Sequence, residues 1–397
     1  MGRSVAVWGG TPYFGPANSV QEEMARAFRE LGCDVLFLEL EGDAEPFRQA
    51  RTDSPGPVEG TALAPDGTVV ARVPKVPLAP YAMFGPSHWA NTKLAMAQLD
   101  RLSSVWLRGE PVMVHYAWFN SRLVWERPEA RHVYDCIDDH TAAVGIEGRP
   151  GLEQRVLDGE REMLEAVDLT TCLSRALAVE RKPIARRCVV LANAVRPGIF
   201  EGEFAEPSAL AGLPRPRALF IGTFGPKIDP SLVAEAARAT PEIAWVFVGD
   251  VRGVRLPRMP GNVKLLGETP HDDMPALAAH ADASIAPLKR SNWNRASAPM
   301  KFCDYMAAGL PMVTRPIPAA EDLAKDVEGG VFLADSADDF ARAVAKAAAA
   351  GPDVRERCRA WAREHTWVRR AREMLDMVDS AASHGSAGGG TGTGDRT

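Results

Sequence analysis

The sequence predicts an α/β protein of two Rossmann-like domains, and three observations carry that prediction. Short apolar strands alternate with amphipathic helices from Ser4 to Leu191. The alternation breaks between Arg196 and Arg217, where Pro197, Pro207, Pro214 and Pro216 fall with little periodicity. It restarts at Ala218 and runs to Ala349. Strands alternating with helices imply parallel sheet covered on both faces. A chain of 397 residues can bury two sizeable cores and needs neither disulfides nor metal to fold.

Taken in order, Ser4–Trp8 reads as a strand and Gly9 to Pro16 as a glycine-rich turn. Val20, Met24, Ala27, Phe28 and Leu31 then recur at helical spacing until Gly32 ends the helix. Strands follow at Asp34–Leu40, Val112–His115 and His132–Cys136. A helix over Leu152–Ala166 leads to strands at Leu169–Thr171 and Val189–Leu191. After the proline-rich break come a strand at Ala218–Gly222, a helix at Ser231–Ala239, and strands at Ile243–Val248 and Val263–Leu266. A helix at Met274–Ala279, a strand at Ala283–Ala286, a helix at Met300–Ala308 and a strand at Pro311–Thr314 continue the pattern. Helices at Asp338–Ala349 and Arg355–Ser380 end it. The expected organisation is a first domain over residues 1–195, a linker over 196–217, a second domain over 218–354, a C-terminal helix over 355–380 and a disordered tail over 381–397.

The net charge of −6 argues against a nucleic-acid-binding surface. No apolar run approaches the roughly 18 residues needed to span a bilayer, and the start is too short an apolar stretch for a signal peptide. The six cysteines form no Cys-x-x-Cys pair, so buried, reduced thiols in a soluble cytoplasmic protein are expected. The first glycine loop does not spell Gly-x-Gly-x-x-Gly, and no acidic residue caps the second strand in the expected context. A dinucleotide dehydrogenase is therefore disfavoured. Gly10, ahead of a helix N-terminus, could approach a phosphate or sugar; a turn that merely needs glycine is the alternative. Metal is not implied: Asp138-Asp139 and Asp272-Asp273 lack the alternating Asp-x-Asp spacing, and His271 and His280 lack companions at ligand spacing.

The sharpest motif is Ala296-Ser297-Ala298-Pro299-Met300-Lys301-Phe302-Cys303-Asp304-Tyr305-Met306-Ala307-Ala308-Gly309-Leu310-Pro311-Met312-Val313-Thr314. It resembles the P-x-K-x-x-E-Y-x-A-x-G-x-P-V-V segment of GT-B glycosyltransferases of the family 4 type (glycosyl transferases group 1). Four further stretches resemble that family in the same order. They are Val133 to Asp139, Asp168 to Ser174, Val190 to Val195, and the run from Leu265-Leu266-Gly267 to Pro287. The likeness extends from about residue 130 to Trp367.

The resemblance implies two Rossmann-like domains facing across a cleft (GT-B type), with an acceptor side in the first and the nucleotide sugar in the second. The C-terminal helix would cross back onto the first domain. It implies a retaining, metal-independent glycosyltransferase with a nucleoside-diphosphate sugar as donor substrate and no cofactor. Lys301, in the helix begun after Pro299, and Lys227 would meet the pyrophosphate. Asp304 takes the position whose carboxylate binds the ribose, and Gly267 and Pro270 would edge the base slot. A solvated helix-start lysine is the alternative for Lys227 or Lys301, and a surface cap for Asp304. Asp138 would orient acceptor or donor sugar.

The sequence departs from the family pattern at two places. The first acidic residue of the usual E-x7-E pair is Ala296 and the second is Asp304. The arginine expected after Gly222 is missing, with Arg290 or Arg295 as substitutes. Such enzymes are thought to use the donor's own phosphate as base, so catalysis rests on positioning and leaving-group stabilisation. His115 is either a donor-sugar contact or a satisfied core histidine. Trp89, Trp106, Trp118 and Trp125, with Tyr81, Phe84, Tyr116 and Phe119, could line an acceptor pocket or pack in the core. Residues 48–150 carry eleven basic and eleven acidic side chains, which favours a small soluble acceptor of natural-product type over a lipid-linked glycan. The alternatives are a nucleotide-sugar epimerase of the same fold and a catalytically idle sugar-nucleotide-binding subunit.

Overall fold

A computed structural model of the chain describes residues 2–9, 11–14, 19–39, 45–73, 85–143 and 146–385. The chain divides into two compact units. The first comprises the residues up to Cys172, Ala178–Leu191 and everything from Val368 on; the second comprises Leu173–Leu177 and Ala192–Trp367.

The first unit holds strands β1 (Ser4–Gly9), β2 (Asp34–Glu39), β3 (Ala62–Leu63), β4 (Val69–Arg72), β5 (Val112–His115), β6 (Arg131–Cys136), β7 (Leu169–Cys172) and β8 (Cys188–Val190). They form one sheet in the order β3-β4-β2-β1-β5-β6-β7-β8, parallel except for the β3–β4 pair. β3, β4 and the helices Glu45–Asp53 and Gly85–Arg101 lie before residue 130, where the family likeness does not reach, and are not among the elements read from the sequence. Trp8, Leu36, Leu38, Leu99, Trp106 and Met113 fill the core on one side of this sheet.

The second unit holds β9 (Arg217–Ile221), β10 (Ala244–Val248), β11 (Val263–Leu265), β12 (Ala283–Ala286), β13 (Met312–Thr314) and β14 (Val331–Leu333). Their order is β11-β10-β9-β12-β13-β14, all parallel. Phe220, Phe224, Trp245, Phe247, Met306 and Phe340 lie at its core. From β9 the sheet grows outward in both directions, so the chain reverses its winding between β9 and β12. In open parallel sheets that switch point leaves a crevice at the carboxyl ends of the strands.

Several expectations need correction. The proline-rich stretch, expected as a linker over 196–217, falls within the second unit. Leu210 is buried in the second core, and the buried Arg217 guanidinium donates to the carbonyls of Leu210 and Leu213 at 3.0 and 2.8 Å. The single helix expected over 355–380 is two, Pro352–Glu364 and Trp367–Gly385. The break has a cause: the His365 carbonyl accepts from the Val195 N–H at 3.0 Å, and Val195 bridges to Thr366. Residues 381–385, expected in a disordered tail, extend the second of these helices, which from Val368 on belongs to the first unit.

An acidic residue does end the second strand. Glu39 is buried, accepts the Tyr13 N–H at 2.8 Å and lies 3.4 Å from Arg72, so it ties down the glycine-loop segment. Gly9 is required by close approach, since a Cβ there would lie 2.4 Å from the Phe37 ring. Gly10, Tyr81 and Phe84 fall outside the described residues. The cysteines, far apart in sequence, are not all apart in space: the sulfurs of Cys172 and Cys188 are 3.8 Å from one another. Among the described residues no helix is long and apolar enough to cross a membrane.

Candidate functional site

Three glycines close the carboxyl ends of three adjacent strands in the second unit. Gly222 follows β9, Gly249 follows β10 and Gly267 lies just past β11, with φ of 123°, 132° and 77°. Side-chain-bearing residues rarely adopt such angles. The Gly249 N–H donates to the Gly267 carbonyl at 2.7 Å, and the Gly222 N–H donates to the Val248 carbonyl at 2.8 Å. A Cβ on Gly249 would lie 2.4 Å from the Gly222 carbonyl oxygen. The glycines therefore let three backbone segments converge at the crevice.

Lys301 enters the same place. Pro299 caps the Met300–Ala307 helix in an extended conformation, with φ −61° and ψ 130°. The Phe302 N–H donates to the Pro299 carbonyl at 3.0 Å, while the N–H groups of Met300 and Lys301 have no earlier carbonyl within the helix. The Lys301 Nζ lies 4.1 Å from the Phe220 ring centroid, and a Cβ on Gly222 would sit 2.8 Å from it. Burial and the charge of Lys227 push the Lys301 ammonium down to about 8, while Asp304 pulls it upward. Asp304, three residues on and half-buried, shares that helix face.

Lys227 is exposed, with its Nζ 3.9 Å from the Trp293 ring centroid. Its backbone is fixed, because the Lys227 carbonyl accepts from the Lys289 N–H and from Asn294 Nδ2, both at 2.8 Å. Asn294 Nδ2 also donates to the Lys289 carbonyl at 2.8 Å. The loops after β9 and β12 are thus stitched together by one buried amide. Sequence reasoning missed Asn294; its signal is the Ser291-x-x-Asn294 spacing, in which Ser291 Oγ caps the Asn294 N–H. It also missed Tyr305, whose buried hydroxyl accepts from the Ile221 N–H at 2.9 Å and donates to the Ile285 carbonyl at 3.4 Å. That phenol sets the Met300–Ala307 helix against the ends of β9 and β12.

Other residues singled out from sequence fall as follows. Gly267 and Pro270 are exposed beyond β11, where the Pro270 carbonyl accepts the Asp273 N–H at 3.0 Å. Arg295 is exposed on the Asn292–Ala296 helix. Arg290 is engaged with Asp335, at 3.0 Å from Nε to Oδ1. Ala296 is buried.

In the first unit the reading of His115 as a substrate contact is corrected. Its side chain is fully buried, with Nε2 3.0 Å from His132 Nδ1 and the two rings stacked 5.3 Å apart. His132 Nε2 lies 2.8 Å from the Arg127 carbonyl, so the pair reads as a chain of neutral imidazoles. Burial holds His115 well below the usual histidine range. Asp138 is half-buried just beyond β6. Asp139 caps the turn that follows, its Oδ1 accepting the Thr141 N–H at 3.1 Å. Asp135, on the strand itself, is a buried structural carboxylate bonded to Arg370 and Thr171.

The aromatic set divides. Trp106 is a core residue, its Nε1 donating to the Leu99 carbonyl at 2.9 Å, and Tyr116 and Trp118 are buried. Trp89 and Trp125 are exposed, and Phe119 meets Trp118 edge-on at 5.4 Å. Among the described residues no group of three or more His, Cys, Asp or Glu side chains is placed to hold a metal ion.

Residues 215–349, which contain all of these second-unit groups, match the family described as Glycosyl transferases group 1. Over 249 residues the chain is 29% identical to TuaH of Bacillus subtilis (strain 168), named as a glycosyltransferase of teichuronic acid biosynthesis. That match covers 57% of this chain and 61% of the relative's length. Among solved structures, sucrose-phosphate synthase from Thermosynechococcus elongatus superposes with a TM-score of 0.66 at 14% identity, over 96% of this chain and 100% of that one. Anabaena Alr3699/HepE in complex with UDP gives 0.62 at 14% identity, over 95% and 100%. These structures share the fold, two Rossmann-like domains of the GT-B type.

Proposed function

We propose that this chain, which carries a glycosyl transferases group 1 domain within a GT-B fold, transfers a sugar from a nucleoside-diphosphate donor to an acceptor, with retention and without a metal. The observation that carries the reading is the Lys301 ammonium, from the start of a helix, held at the switch point of the second sheet. It lies 4.1 Å from the Phe220 ring centroid and against Gly222, with Lys227 on the loop after β9. Keeping an ammonium group half-buried beside a helix N-terminus is costly for an empty crevice and favourable for a diphosphate. The name of the HepE complex, which mentions UDP, supports a uridine donor.

In this mechanism both lysines and the N–H groups of Met300 and Lys301 bind the diphosphate. Their attraction grows as negative charge collects on the leaving group. Asp304 accepts from the ribose hydroxyls, while Gly267 and Pro270 border the base. With Ala296 where the pattern has its first carboxylate, no protein nucleophile is invoked there. The donor's phosphate takes the acceptor proton, and the protein contributes position and charge. The acceptor is held by the first unit, where Asp138 orients a hydroxyl.

The charge balance of residues 48–150 supports a small soluble acceptor. The name of the Bacillus relative favours a second reading, a growing polymeric glycan. Incubating the protein with UDP-, GDP- and dTDP-sugars and candidate acceptors of both kinds, with EDTA present, tests both readings by product mass spectrometry and anomeric NMR. An α-configured glycoside from an α-donor supports the proposal. Donor epimerisation without transfer, binding without turnover, inversion, or loss of activity in EDTA would each overturn it.

A further inference from the structure

We infer that Ser174 and Asn193 are positioning residues for the diphosphate grip, acting through the carbonyls that precede the Met300–Ala307 helix. This inference rests on the donor site proposed above. Both residues belong to the second unit, on short segments that follow β7 and β8 in the chain. Ser174 Oγ donates to the Ala296 carbonyl at 2.6 Å and accepts the Leu177 N–H at 3.2 Å. Asn193 Nδ2 donates to the Ala298 carbonyl at 2.6 Å. Ser174 is 2% exposed and Asn193 5%.

The chemistry of the loop explains why two donors are needed. Ala296 ends the Asn292–Ala296 helix, so its carbonyl has no onward helical partner. Pro299 has no N–H with which to brace the loop from within. Ser297 turns inward, its Oγ donating to the Asn294 carbonyl at 3.0 Å. The Ser297 N–H also donates to the Trp293 carbonyl at 3.0 Å, which ties the start of the loop back to the preceding helix. Beyond Ser297 the path to Pro299 is set by side chains from outside it, and that path fixes where the first-turn N–H groups and Lys301 point. Pinning both carbonyls aims the binding groups before ligand arrives, which lowers the ordering cost of binding. Neither residue needs to touch the donor.

The test uses the full chain and UDP as probe. Hydrogen exchange of the unliganded protein and calorimetric titration are run on Ser174→Ala, Asn193→Ala, the isosteric Asn193→Asp, the hydroxyl-retaining Ser174→Thr, and Lys301→Ala. The expectation is faster exchange over residues 297–303 in the alanine and aspartate variants, with the rest of the chain unchanged. Their UDP affinity should fall on the order of tenfold, as for one lost hydrogen bond's worth of binding. The pH above which affinity declines should move upward from about 8 as Lys301 becomes better solvated. Ser174→Thr should behave as wild type. Unchanged local exchange and UDP affinity in both alanine variants would overturn the inference, provided that Lys301→Ala loses UDP binding. Should Lys301→Ala bind UDP normally, the donor-site reading itself fails, whatever Ser174 and Asn193 do.

Discussion

Arg370 sets one guanidinium nitrogen 2.9 Å and 3.0 Å from the two carboxylate oxygens of Asp135, and both side chains are sealed from solvent. Thr171 Oγ1 donates to the same carboxylate at 2.7 Å, and Arg370 also reaches the Leu191 carbonyl at 3.3 Å. A residue from the last helix thus completes a polar cluster on β6 and β7 of the first unit.

Removing one partner from that pair leaves a buried charge uncompensated. Asp135→Ala or Arg370→Ala should each destabilise the first unit by about 3–5 kcal/mol. Urea unfolding followed by tryptophan fluorescence measures it. A loss below about 1 kcal/mol, the level of an exposed ion pair, would contradict the sealed geometry.

Lys301 makes donor binding depend on pH. Its pKa in the free protein is depressed to about 8, so the charged form that grips a diphosphate is full below that pH. UDP affinity should hold at pH 7 and fall by roughly tenfold per unit above pH 8. Stability moves the opposite way: a lysine with depressed folded pKa favours the fold more as pH rises from 8 towards its ordinary value. Lys301→Met should therefore melt at or above the wild-type temperature at pH 7. Calorimetric titration and thermal melts across pH 6–10 check both halves.

Turnover and affinity should separate between Lys301 and Asp304. Lys301→Ala removes charge stabilisation that grows in the transition state, so kcat should drop by about a hundredfold or more. Asp304→Ala should chiefly weaken donor binding, by roughly 1.5–3 kcal/mol, and Asp304→Asn by less because the amide keeps an acceptor. Steady-state kinetics with the identified donor decides it; equal effects on kcat in both alanine variants would refute the division of labour.

The crevice glycines should differ in what they break. Gly249→Ala drives a Cβ to 2.4 Å from a backbone oxygen at a φ of 132°, so it should lower stability by more than the roughly 1–3 kcal/mol of strained φ alone. Gly222→Ala carries similar φ strain, at 123°, but its Cβ meets the movable Lys301 ammonium and not backbone. It should therefore cost less stability than Gly249→Ala and also weaken UDP affinity. Melting and titration of the two variants side by side would expose any reversal of that order.

Much of the second unit was legible in the chain. Alternating apolar runs give β9, β10, β12 and β13 nearly to the residue, and Pro299 marks the start of the helix bearing Lys301 and Asp304. Apart from the strand Val112–His115, the 40–130 stretch was not legible, since β3 has two residues and β4 four, too few for a period to register. Nor could the chain say that Glu39 was spent on the Tyr13 amide rather than left for a ligand.

By itself the sequence determined two Rossmann-like halves, the proline-rich break and the local chemistry of the Lys301 segment. These depend on periodicity, caps and turn residues, which act over a few positions. Only the tertiary structure decided that His115 is locked against His132, that Trp106 is core, and that Asn294 fixes the Lys227 loop. Each of those depends on which distant groups meet in a space without water. Burial and partner together set whether a histidine, a carboxylate or an amide is structural or available, and neither is encoded by spacing along the chain.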